Sequence, residues 1–481
     1  MAKVPLLVGA YQAKSVIASA QRCINLYMEN NPQGVDFPFA AASAPFPFTL
    51  YPTPGLTLKG SVSDAGWRGL YYSTNGKLYG VAGSSVYYID STFAFTKIGT
   101  ILTTSGPVQM VDNGNYVILV DGSPQGYTIY LPDNTFAQIN QAAFYGSPTI
   151  NYVDGFYVLA YLGTAEWYIS LANSTTFDGT DFASKSGFPD KMVGIGIAKR
   201  YIYLFGQQTT EVWFNAGDSL FTFERLPGSY IQYGCAASAS IAQMDGQIFW
   251  LAQSPQGKAT VCMTQNFNAV KISTYAIDAE LATYSRVDDA IGYTYQQNGH
   301  YFYVLTFPTA DKTWMFDYGN QQWSEWLWLD GNGQFHRHRG NCFSMAYGVP
   351  IVGDWQNGNL YLLDQDNYTD NGAPISRVRG FFHSEDNNSS RMRYREFIAE
   401  MEVGNGDGTS DVPVYLQYSD DRGKSFSNPI KQSLGLEGEY LTSIQWQRLG
   451  MARDRVFELF WSAPVKTALS GAFVQVESNN Q

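Results

Sequence analysis

The sequence predicts an all-β protein: a β-propeller of six or seven blades with an extended N-terminal arm and a small C-terminal β-sandwich. Aromatic residues make up 16% of the 481-residue chain and charged residues only 15%, whereas an average protein has roughly 25% charged residues. Aromatic side chains suit a pleated surface, and the 46 glycines suit its turns. A hairpin-like unit also recurs along the middle of the chain, which is the sequence mark of repeat folds.

Residues 1–59 are the first predicted element, an N-terminal arm with a linker rich in proline and phenylalanine. Proline fixes φ and removes a backbone donor, so this linker is predicted to be extended. Its phenylalanines then need another surface to cover them. We therefore predict contacts with a neighbouring protomer or partner through Phe37, Phe39, Phe46 and Phe48.

Residues 60–374 are the predicted propeller, because a strand–turn–strand unit recurs there seven times. Asn-Gly and Asp-Gly turns are strong hairpin signals, since both central positions of a type I′ turn need φ > 0. Successive units are 39, 41, 43, 48, 50 and 54 residues apart, close to the roughly 40–50 residues of a four-stranded blade. The spacing is measured between the anchors Leu70, Gln109, Ile150, Val193, Ile241, Ile291 and Met345. An irregular sandwich is the alternative, although its turns would recur about every 8–12 residues without a longer period.

Residues 375–481 are the predicted β-sandwich, because alternating apolar runs occur at 412–419, 444–449 and 456–462. The net charge of the whole chain is −12, from 30 Lys+Arg and 42 Asp+Glu. Most of the acidity lies outside this region, since residues 1–373 carry 18 basic and 28 acidic residues. Such a balance argues against general adhesion to nucleic acid through phosphate neutralisation.

Membrane insertion and export are not expected. The apolar run at residues 4–10 is interrupted by Pro5 and is too short for a signal peptide. No apolar stretch approaches the roughly 20 residues that a membrane-spanning helix needs. The four cysteines lie far apart with no C-x-x-C pair, which gives no sign of a zinc ribbon or a disulfide framework.

We predict that the protein is not an enzyme and has no catalytic, cofactor-binding or metal-binding residues. No Gly-x-Ser-x-Gly motif of a serine hydrolase occurs. The run His336-Arg337-His338-Arg339 would place both histidines on one face of a strand, but no Cys, Asp or Glu in it completes a metal site. A solvated basic loop or an interface is the favoured interpretation of this run.

The segment 419–426 resembles the Asp-box, Ser-x-Asp-x-Gly-x-x-aromatic, of sialidases and related propellers. As a hairpin cap, Asp421 would accept backbone N–H bonds, Gly423 would supply φ > 0 and Phe426 would pack beneath the turn. A glycosidase also needs two carboxylates that face each other across a cleft. A glycan-binding or glycan-hydrolysing propeller therefore stays the alternative function.

An arginine cluster follows the predicted propeller, at Arg377, Arg379, Arg391, Arg393 and Arg395. Alternation would align each set along one face of a strand. Arginine pairs bidentately with carboxylates and phosphates and is enriched at interfaces. The alternatives are exposed arginines that keep a sheet edge soluble, a subunit contact with acidic neighbours, and a ring that faces passing DNA.

Short motifs occur in a fixed order along nearly the whole chain, each weak by itself. They lie at residues 21–27, 53–56, 68–70, 194–196, 204–206, 210–213, 289–291, 299–300, 305–308, 368–375, 448–450 and 452–459. In this order they resemble the tail hub, or nozzle, proteins of short-tailed bacteriophages, which are also called packaged-DNA stabilisation proteins.

The resemblance implies a structural virion protein of the phage tail, assembled in the host cytoplasm. It implies a ring of six copies below the portal and its tail adaptor protein, which continues the DNA channel and retains packaged DNA until ejection. The implied partners are further copies of the chain, the adaptor, a needle or plug protein, and a tailspike or fibre. DNA would pass through the channel without sequence-specific binding, and no catalytic residue or cofactor is implied.

Overall fold

The computed structural model describes residues 3–5, 21–30, 48–218, 221–257, 259–385, 390–406 and 412–478. Its regular structure is almost entirely β-strand, which confirms the predicted all-β class. The described residues form one α-helix, Tyr275–Leu281, whose N-cap Thr274 accepts a hydrogen bond from the Ile277 N–H, and one 3-10 helix, Ser238–Ser240. None of their helices is long and apolar enough to cross a membrane.

The chain forms two compact units. The propeller unit comprises residues 58–312 and 337–363, and the sandwich unit comprises residues 1–57, 313–336 and 364–481. These units differ from the linear domains 1–59, 60–374 and 375–481 that the sequence predicts. The difference arises because strands from both ends of the chain and residues 313–336 pair with one another, which a linear reading cannot anticipate.

The propeller unit contains seven successive groups of antiparallel strands, which we number blades 1 to 7. Blade 1 is formed by Trp67–Tyr72, Leu78–Ala82, Ser85–Ile89 and Phe95–Thr100, and blade 2 is formed by Gln109–Asp112, Tyr116–Val120, Gly126–Tyr130 and Thr135–Gln138. Blade 3 is formed by Ile150–Val153, Phe156–Ala160, Glu166–Ser170 and Phe177–Ser184, and blade 4 is formed by Met192–Ala198, Tyr201–Gly206, Thr210–Asn215 and Phe223–Ile231. Blade 5 is Gly234–Cys235, Ala242–Met244, Gln247–Gln253, Ala259–Gln265, Asn268–Lys271, and blade 6 contributes Ile291–Gln297 and His300–Phe307. Blade 7 is Gly340–Ala346, Val349–Asp354, Gly358–Asp364, beside the early strand Gly55–Val62.

The blades close into a ring. The innermost strand of each blade contacts the innermost strand of the next, and Gly340–Ala346 of blade 7 contacts Trp67–Tyr72 of blade 1. Hydrophobic clusters fill the spaces between neighbouring blades, and the one at the closure joins Trp67 and Leu78 to Ile351. The seven predicted anchors all lie on or directly before these innermost strands. The propeller prediction is therefore confirmed, with seven blades.

The predicted turns are only partly of the expected kind. Both central residues have positive φ at Asp154-Gly155, Asp245-Gly246 and Asn298-Gly299, as a type I′ turn requires, and also at Lys199-Arg200. In blade 7 the hairpin turn is Tyr347-Gly348, at φ 53° and 79°. The Asn357-Gly358 pair, which the sequence favours as the hairpin turn of this blade, follows the second strand Val349–Asp354 instead.

The sandwich unit contains two facing sheets. The first sheet is Leu26–Asn30, Phe48–Pro52, Leu469–Ser478, Met392–Met401 and Ile444–Gln447, with Lys3–Pro5 and Met451–Ala452 paired at its sides. The strands of the second sheet in this unit are Lys312–Asp317, Gln322–Glu325, Cys23–Ile24, Arg377–Gly380, Asp454–Trp461, Pro413–Ser419 and Ile430–Ser433, with Ser384–Glu385 at its side. Short pairs outside the two sheets are Leu327–Leu329 with Phe335–Arg337 and Thr369–Asp370 with Ala373–Pro374. One core of large apolar side chains, including Trp446, Phe457 and Trp461, lies between the sheets.

Both ends of the predicted linker are anchored in this sandwich. Asn30 lies opposite Phe48 in the antiparallel pair of Leu26–Asn30 with Phe48–Pro52. Residues 31–47, which include Phe37, Phe39 and Phe46, lie outside the described residues, but their two ends are neighbours in one sheet. The region 1–59 is therefore not a linear arm, because its described strands belong to the sandwich.

Candidate functional site

The axis of the propeller is the usual site of ligand binding in this architecture, and here amide side chains link its innermost strands. The Gln109 Oε1 accepts a hydrogen bond from the Ile150 N–H at 3.2 Å, and the Asn151 Nδ2 donates to the Ile195 carbonyl at 2.9 Å. A cavity of about 80 Å³ lies among these strands and is lined by Gln109, Asn151, Gln243 and aliphatic side chains. The amides thus serve mainly to join one blade to the next.

The innermost strands of the seven blades carry only two charged residues, Arg68 and Asp112. Both are buried, at 7% and 4% exposure. Asp112 accepts hydrogen bonds from the Thr74 N–H at 2.8 Å and its hydroxyl at 2.6 Å, and Arg68 donates to the carbonyls of Gly83 and Thr103 at 2.8 Å each. The innermost strands therefore do not provide the pair of facing carboxylates that glycoside hydrolysis needs.

The His336–Arg339 run does not form a metal site. No group of three His, Cys, Asp or Glu side chains is placed to hold a metal ion in the part of the chain that the structure describes. His338 is buried, its Nδ1 accepts the Gly340 N–H at 3.1 Å, and burial followed by the nearby Arg339 lowers its pKa to about 3. Arg337 stacks on the Trp355 ring at 4.1 Å. The interpretation as a solvated basic loop does not hold for the whole run, because His338 is buried, whereas His336, Arg337 and Arg339 are partly exposed.

The Asp-box-like turn has the predicted polar geometry. The Asp421 carboxylate accepts the Ser425 N–H at 2.8 Å and the Ser419 hydroxyl at 2.7 Å, and Gly423 has φ 82°. Hydrogen bonds from Ser419 and then Ser425 hold the pKa of Asp421 well below its usual range. The prediction that Phe426 packs beneath the turn is wrong, since its side chain is 39% exposed. The turn caps a hairpin, and its neighbouring carboxylate, that of Asp420, is engaged by Arg455.

A buried arginine beside this turn was not anticipated. The Arg455 guanidinium forks onto the Asp420 carboxylate at 2.5 and 2.7 Å and lies 4.0 Å from the Tyr418 ring centroid and 4.5 Å from that of Tyr394. The signal for it in the sequence is its position two residues before Phe457 in an alternating strand, because both side chains then lie on the buried face. It joins the turn to the sandwich core.

The first two residues of the predicted arginine cluster lie inside the sandwich unit. Arg377 and Arg379 are both 0% exposed. The Arg377 Nη1 donates to the Ala463 carbonyl at 3.0 Å, and the Arg379 Nη2 donates to the Gln21 Oε1 at 3.0 Å. Burial lowers the pKa of Arg377 to about 10. The structure therefore corrects the interface prediction for these two, because their strand is central in the sheet, between Cys23–Ile24 and Asp454–Trp461.

The other three arginines of the cluster are exposed. Arg391, Arg393 and Arg395 alternate with the buried Met392 and Tyr394 at the start of the strand Met392–Met401. Arg395 pairs with Glu477 at 2.6 Å. These three remain accessible to a partner, as the alternation predicts. Among the predicted phenylalanines, Phe48 packs partly buried against the sandwich core, so its contact lies within this chain.

Comparison with known proteins gives two family matches. The family model described as bacteriophage P22 Gp10, beta-propeller, matches residues 4–368, and that described as bacteriophage P22 Gp10, beta-sandwich, matches residues 382–477. The two matches follow the order of the observed architectures and together span most of the chain. No curated protein matches the sequence.

Several solved structures are similar over about two thirds of the chain. The computationally designed Ika8 protein is 10% identical with a TM-score of 0.41, and the match covers 65% of this chain and 99% of that one. The WD40 beta propeller domain of Doa1 is 10% identical with a TM-score of 0.40, covering 64% and 96%. The Neurospora crassa Pan2 WD40 domain is 11% identical with a TM-score of 0.42, covering 64% and 95%.

Proposed function

The chain belongs to the family of bacteriophage P22 Gp10, and from this premise we propose that it forms the nozzle of a short phage tail. It is a structural phage tail protein built from a β-propeller and a β-sandwich. Six copies form a ring below the portal and its adaptor, continue the channel, retain packaged DNA and pass it during ejection. The observation that carries the proposal is the ordered match of both family models over residues 4–368 and 382–477.

Passage of DNA without sequence-specific binding is supported by the charge of the chain. A net charge of −12 repels phosphates, and a ring of six copies multiplies that repulsion. Neutralisation of phosphates by Lys and Arg supplies most non-specific DNA affinity, and such residues are outnumbered here. DNA would slide along such a channel instead of adhering to it.

The partners in this proposal are other copies of the chain, the portal-tail adaptor, a needle or plug, and a tailspike or fibre, all in the virion tail. Two features support extended contacts. The segment 31–47 contributes Phe37, Phe39 and Phe46, which need an apolar partner surface. Several aromatic residues of the described part, such as Tyr275 and Tyr440, are exposed, and aromatic residues are enriched at interfaces.

Enzymatic turnover has no place in this proposal. The family comprises structural phage proteins. The alternative of a glycan hydrolase at the propeller axis is disfavoured, because the innermost strands carry a single carboxylate, Asp112, whose oxygens are engaged within the chain.

The proposal is tested by measuring the particle mass by light scattering and by negative-stain imaging, with and without the matching adaptor. We expect sixfold top views with a stain-filled hole, either from the chain by itself or on the adaptor. A monodisperse particle of one chain's mass that ignores the adaptor would overturn the proposal.

A triple variant sharpens this test. Phe37→Ser, Phe39→Ser and Phe46→Ser together are expected to weaken ring or adaptor assembly, since they remove apolar groups that a partner would cover. The matched control replaces three exposed phenylalanines of the described part, Phe182, Phe188 and Phe426, by serine. Equal assembly of both triple variants would remove the role proposed for the segment 31–47.

A further inference from the structure

Five exposed arginines lie together at one end of the first sheet of the sandwich. We call this set the arginine surface, and it consists of Arg391, Arg393, Arg395, Arg448 and Arg453. Two of these residues, Arg448 and Arg453, are far in sequence from the other three, so only the fold brings them together.

The strand register places Arg391, Arg393 and Arg453 on one face. Arg393 lies opposite Met451 on one side and opposite Glu477 on the other, and residues directly opposite in an antiparallel pair share a face. The pair Met392 with Ala452 brings Arg391 next to Arg453. The Arg448 N–H donates to the Arg395 carbonyl at 2.8 Å, which brings these two residues side by side.

Among the described residues, the positive charge of the arginine surface is hardly compensated. The ion pair found there joins Arg395 to Glu477 at 2.6 Å. Arg391, Arg393, Arg448 and Arg453 remain exposed. A chain with a net charge of −12 and only 30 basic residues thus concentrates four exposed guanidinium groups in one place.

The composition of the surface indicates the chemistry of its partner. All five cations are arginines, whose planar forks match carboxylates and are more weakly hydrated than ammonium groups. Arginine and methionine are enriched at protein interfaces and lysine is depleted, and the exposed Met451 lies among the arginines. A surface for the DNA backbone would use lysine as readily and would gain nothing from Glu477, whose carboxylate repels phosphates.

We propose that the arginine surface docks a carboxylate-rich face of another protein. Alternate residues of a strand are roughly 6.6 Å apart, and carboxylates spaced i, i+4 on a helix or i, i+2 on a strand have a similar separation. The inference stands on the sandwich geometry and rests on the proposed function only in placing this partner in the virion tail.

The test measures binding of a fluorescein-labelled oligoglutamate peptide to the full chain by fluorescence anisotropy at low salt. The variant Arg391→Gln, Arg393→Gln, Arg448→Gln, Arg453→Gln leaves the Arg395–Glu477 pair in place. Each exposed charge pair contributes modestly, so the four together should weaken the Kd for the peptide about tenfold or more. Equal peptide binding by this variant and the parent chain would overturn the proposal.

The matched control removes the same charge elsewhere on the chain. It combines Lys97→Gln, Lys191→Gln, Lys199→Gln and Lys424→Gln, and all four of these lysines are exposed. It should bind the peptide within about twofold of the parent chain, because screened charges at a distance add little. If the control loses as much affinity as the arginine variant, binding follows net charge and the proposal is wrong.

A conservative variant separates carboxylates from phosphates. Replacing the same four arginines by lysine keeps the charge but removes the forked donors, so peptide affinity should fall by about threefold or more. A short DNA duplex serves as the competing probe. If the parent chain binds the duplex more tightly than the peptide, and the lysine variant retains that binding, the surface is a phosphate site and the proposal fails.

Failure of the proposed function has a different signature. Light scattering on the same preparations reports ring formation, which the peptide assay does not need. A chain that forms no ring either alone or with the adaptor, yet loses peptide binding on arginine substitution, would contradict the nozzle and support the docking surface.

Discussion

The propeller unit and the sandwich unit are assembled from the chain in opposite ways. In blade 1, Trp67–Tyr72 pairs with Leu78–Ala82, its nearest neighbour in sequence. In the sandwich, Cys23–Ile24 lies between Gln322–Glu325 and Arg377–Gly380, about 300 and 350 residues further along. The blades are therefore local and repeated, whereas the sandwich depends on segments that must meet across the whole chain.

The way in which polar groups are buried differs accordingly. The joints between remote sandwich segments are buried hydrogen bonds, such as those of Asn25 to Leu327 and Ser376 and that of Arg379 to Gln21. The spaces between blades are filled mainly by apolar clusters. Hydrogen bonds are directional, and a buried donor or acceptor that loses its partner is costly. We therefore expect single polar substitutions to destabilise the sandwich more than the propeller.

The largest expected effect is that of Asn25→Gly. Asn25 is 1% exposed with φ 56°, donates to the carbonyls of Leu327 and Ser376 at 2.8 and 2.7 Å, and accepts the Leu327 N–H at 2.8 Å. Glycine keeps the left-handed backbone and removes the three hydrogen bonds, which should cost about 3–4 kcal/mol of unfolding free energy. Urea unfolding followed by Trp fluorescence measures it.

The matched control is Asn298→Gly in a propeller turn, where the exposed Asn298 has φ 49°. It should change stability by about 0.5 kcal/mol or less. Equal costs for the two substitutions would break the distinction between remote and local assembly.

A smaller effect is expected for Arg455→Lys, about 2–3 kcal/mol. The substitution removes the fork onto Asp420 and the stacking on Tyr418 while the charge stays buried. A double-mutant cycle with Asp420→Asn, read by thermal unfolding, isolates the pair. The comparison variant is Arg422→Lys, whose side chain is 53% exposed and pairs with Asp454 at 3.2 Å, and it should cost about 0.5 kcal/mol. A coupling energy near zero for Arg455 and Asp420 would contradict the structure.

The two units should also respond oppositely to pH. His338 in the propeller unit has a folded-state pKa lowered to about 3, mainly by burial. Neutral His338 contributes fully to the free energy of unfolding above its unfolded-state pKa of about 6.5. This contribution is lost as the pH falls, and the loss amounts to about 2 kcal/mol at pH 5. His338→Gln should flatten the fall in propeller melting temperature between pH 7 and pH 5.

Glu458 in the sandwich unit provides the opposite sign, because burial raises its pKa. Protonated Glu458 contributes fully to the stability of the sandwich below its unfolded-state pKa, and this contribution is lost as the pH rises through the raised folded-state pKa. Glu458→Gln should therefore stabilise the sandwich relative to the parent chain at pH 7.

A wild-type propeller whose stability does not change between pH 7 and pH 5 would show that His338 is not buried as described.

The smallest effect, about 1 kcal/mol, is expected for Tyr303→Phe. The Tyr303 hydroxyl is buried and donates to the Ser240 carbonyl at 2.7 Å, between blades 6 and 5. Tyr301→Phe, at a half-buried position on the same strand, is the control and should be nearly neutral. Thermal unfolding of both variants checks the difference, and a larger cost at Tyr301 would contradict the contact between the blades.

The propeller was largely predictable from sequence because its information is local. The anchors from Leu70 to Met345 identified the innermost strands, since each blade repeats one hairpin pattern. The Tyr347-Gly348 turn was missed because Tyr at φ 53° has no sequence signature. The irregular blade spacing did not hide the repeat, because the turns of blades 3, 5 and 6 are Asp-Gly or Asn-Gly.

The sandwich was only partly predictable because its information is not local. Alternation placed Arg391, Arg393 and Arg395 correctly on one face, but the same rule gave no sign that Arg377 and Arg379 are buried. Their burial follows from the strand Cys23–Ile24, which lies more than 350 residues earlier and pairs with theirs. Arg448 and Arg453 were not connected to the cluster for the same reason.

The central claim is that strands remote in sequence form one cooperative sandwich, separate from the seven blades. Hydrogen exchange of the Asn25→Gly chain tests it most directly, with mass spectrometry resolving individual segments. The account predicts that Gln322–Glu325 and Met392–Met401 lose protection together, while Trp67–Tyr72 exchanges as in the parent chain. Loss of protection in the blades to the same extent, or no joint loss in the two sandwich segments, would contradict it.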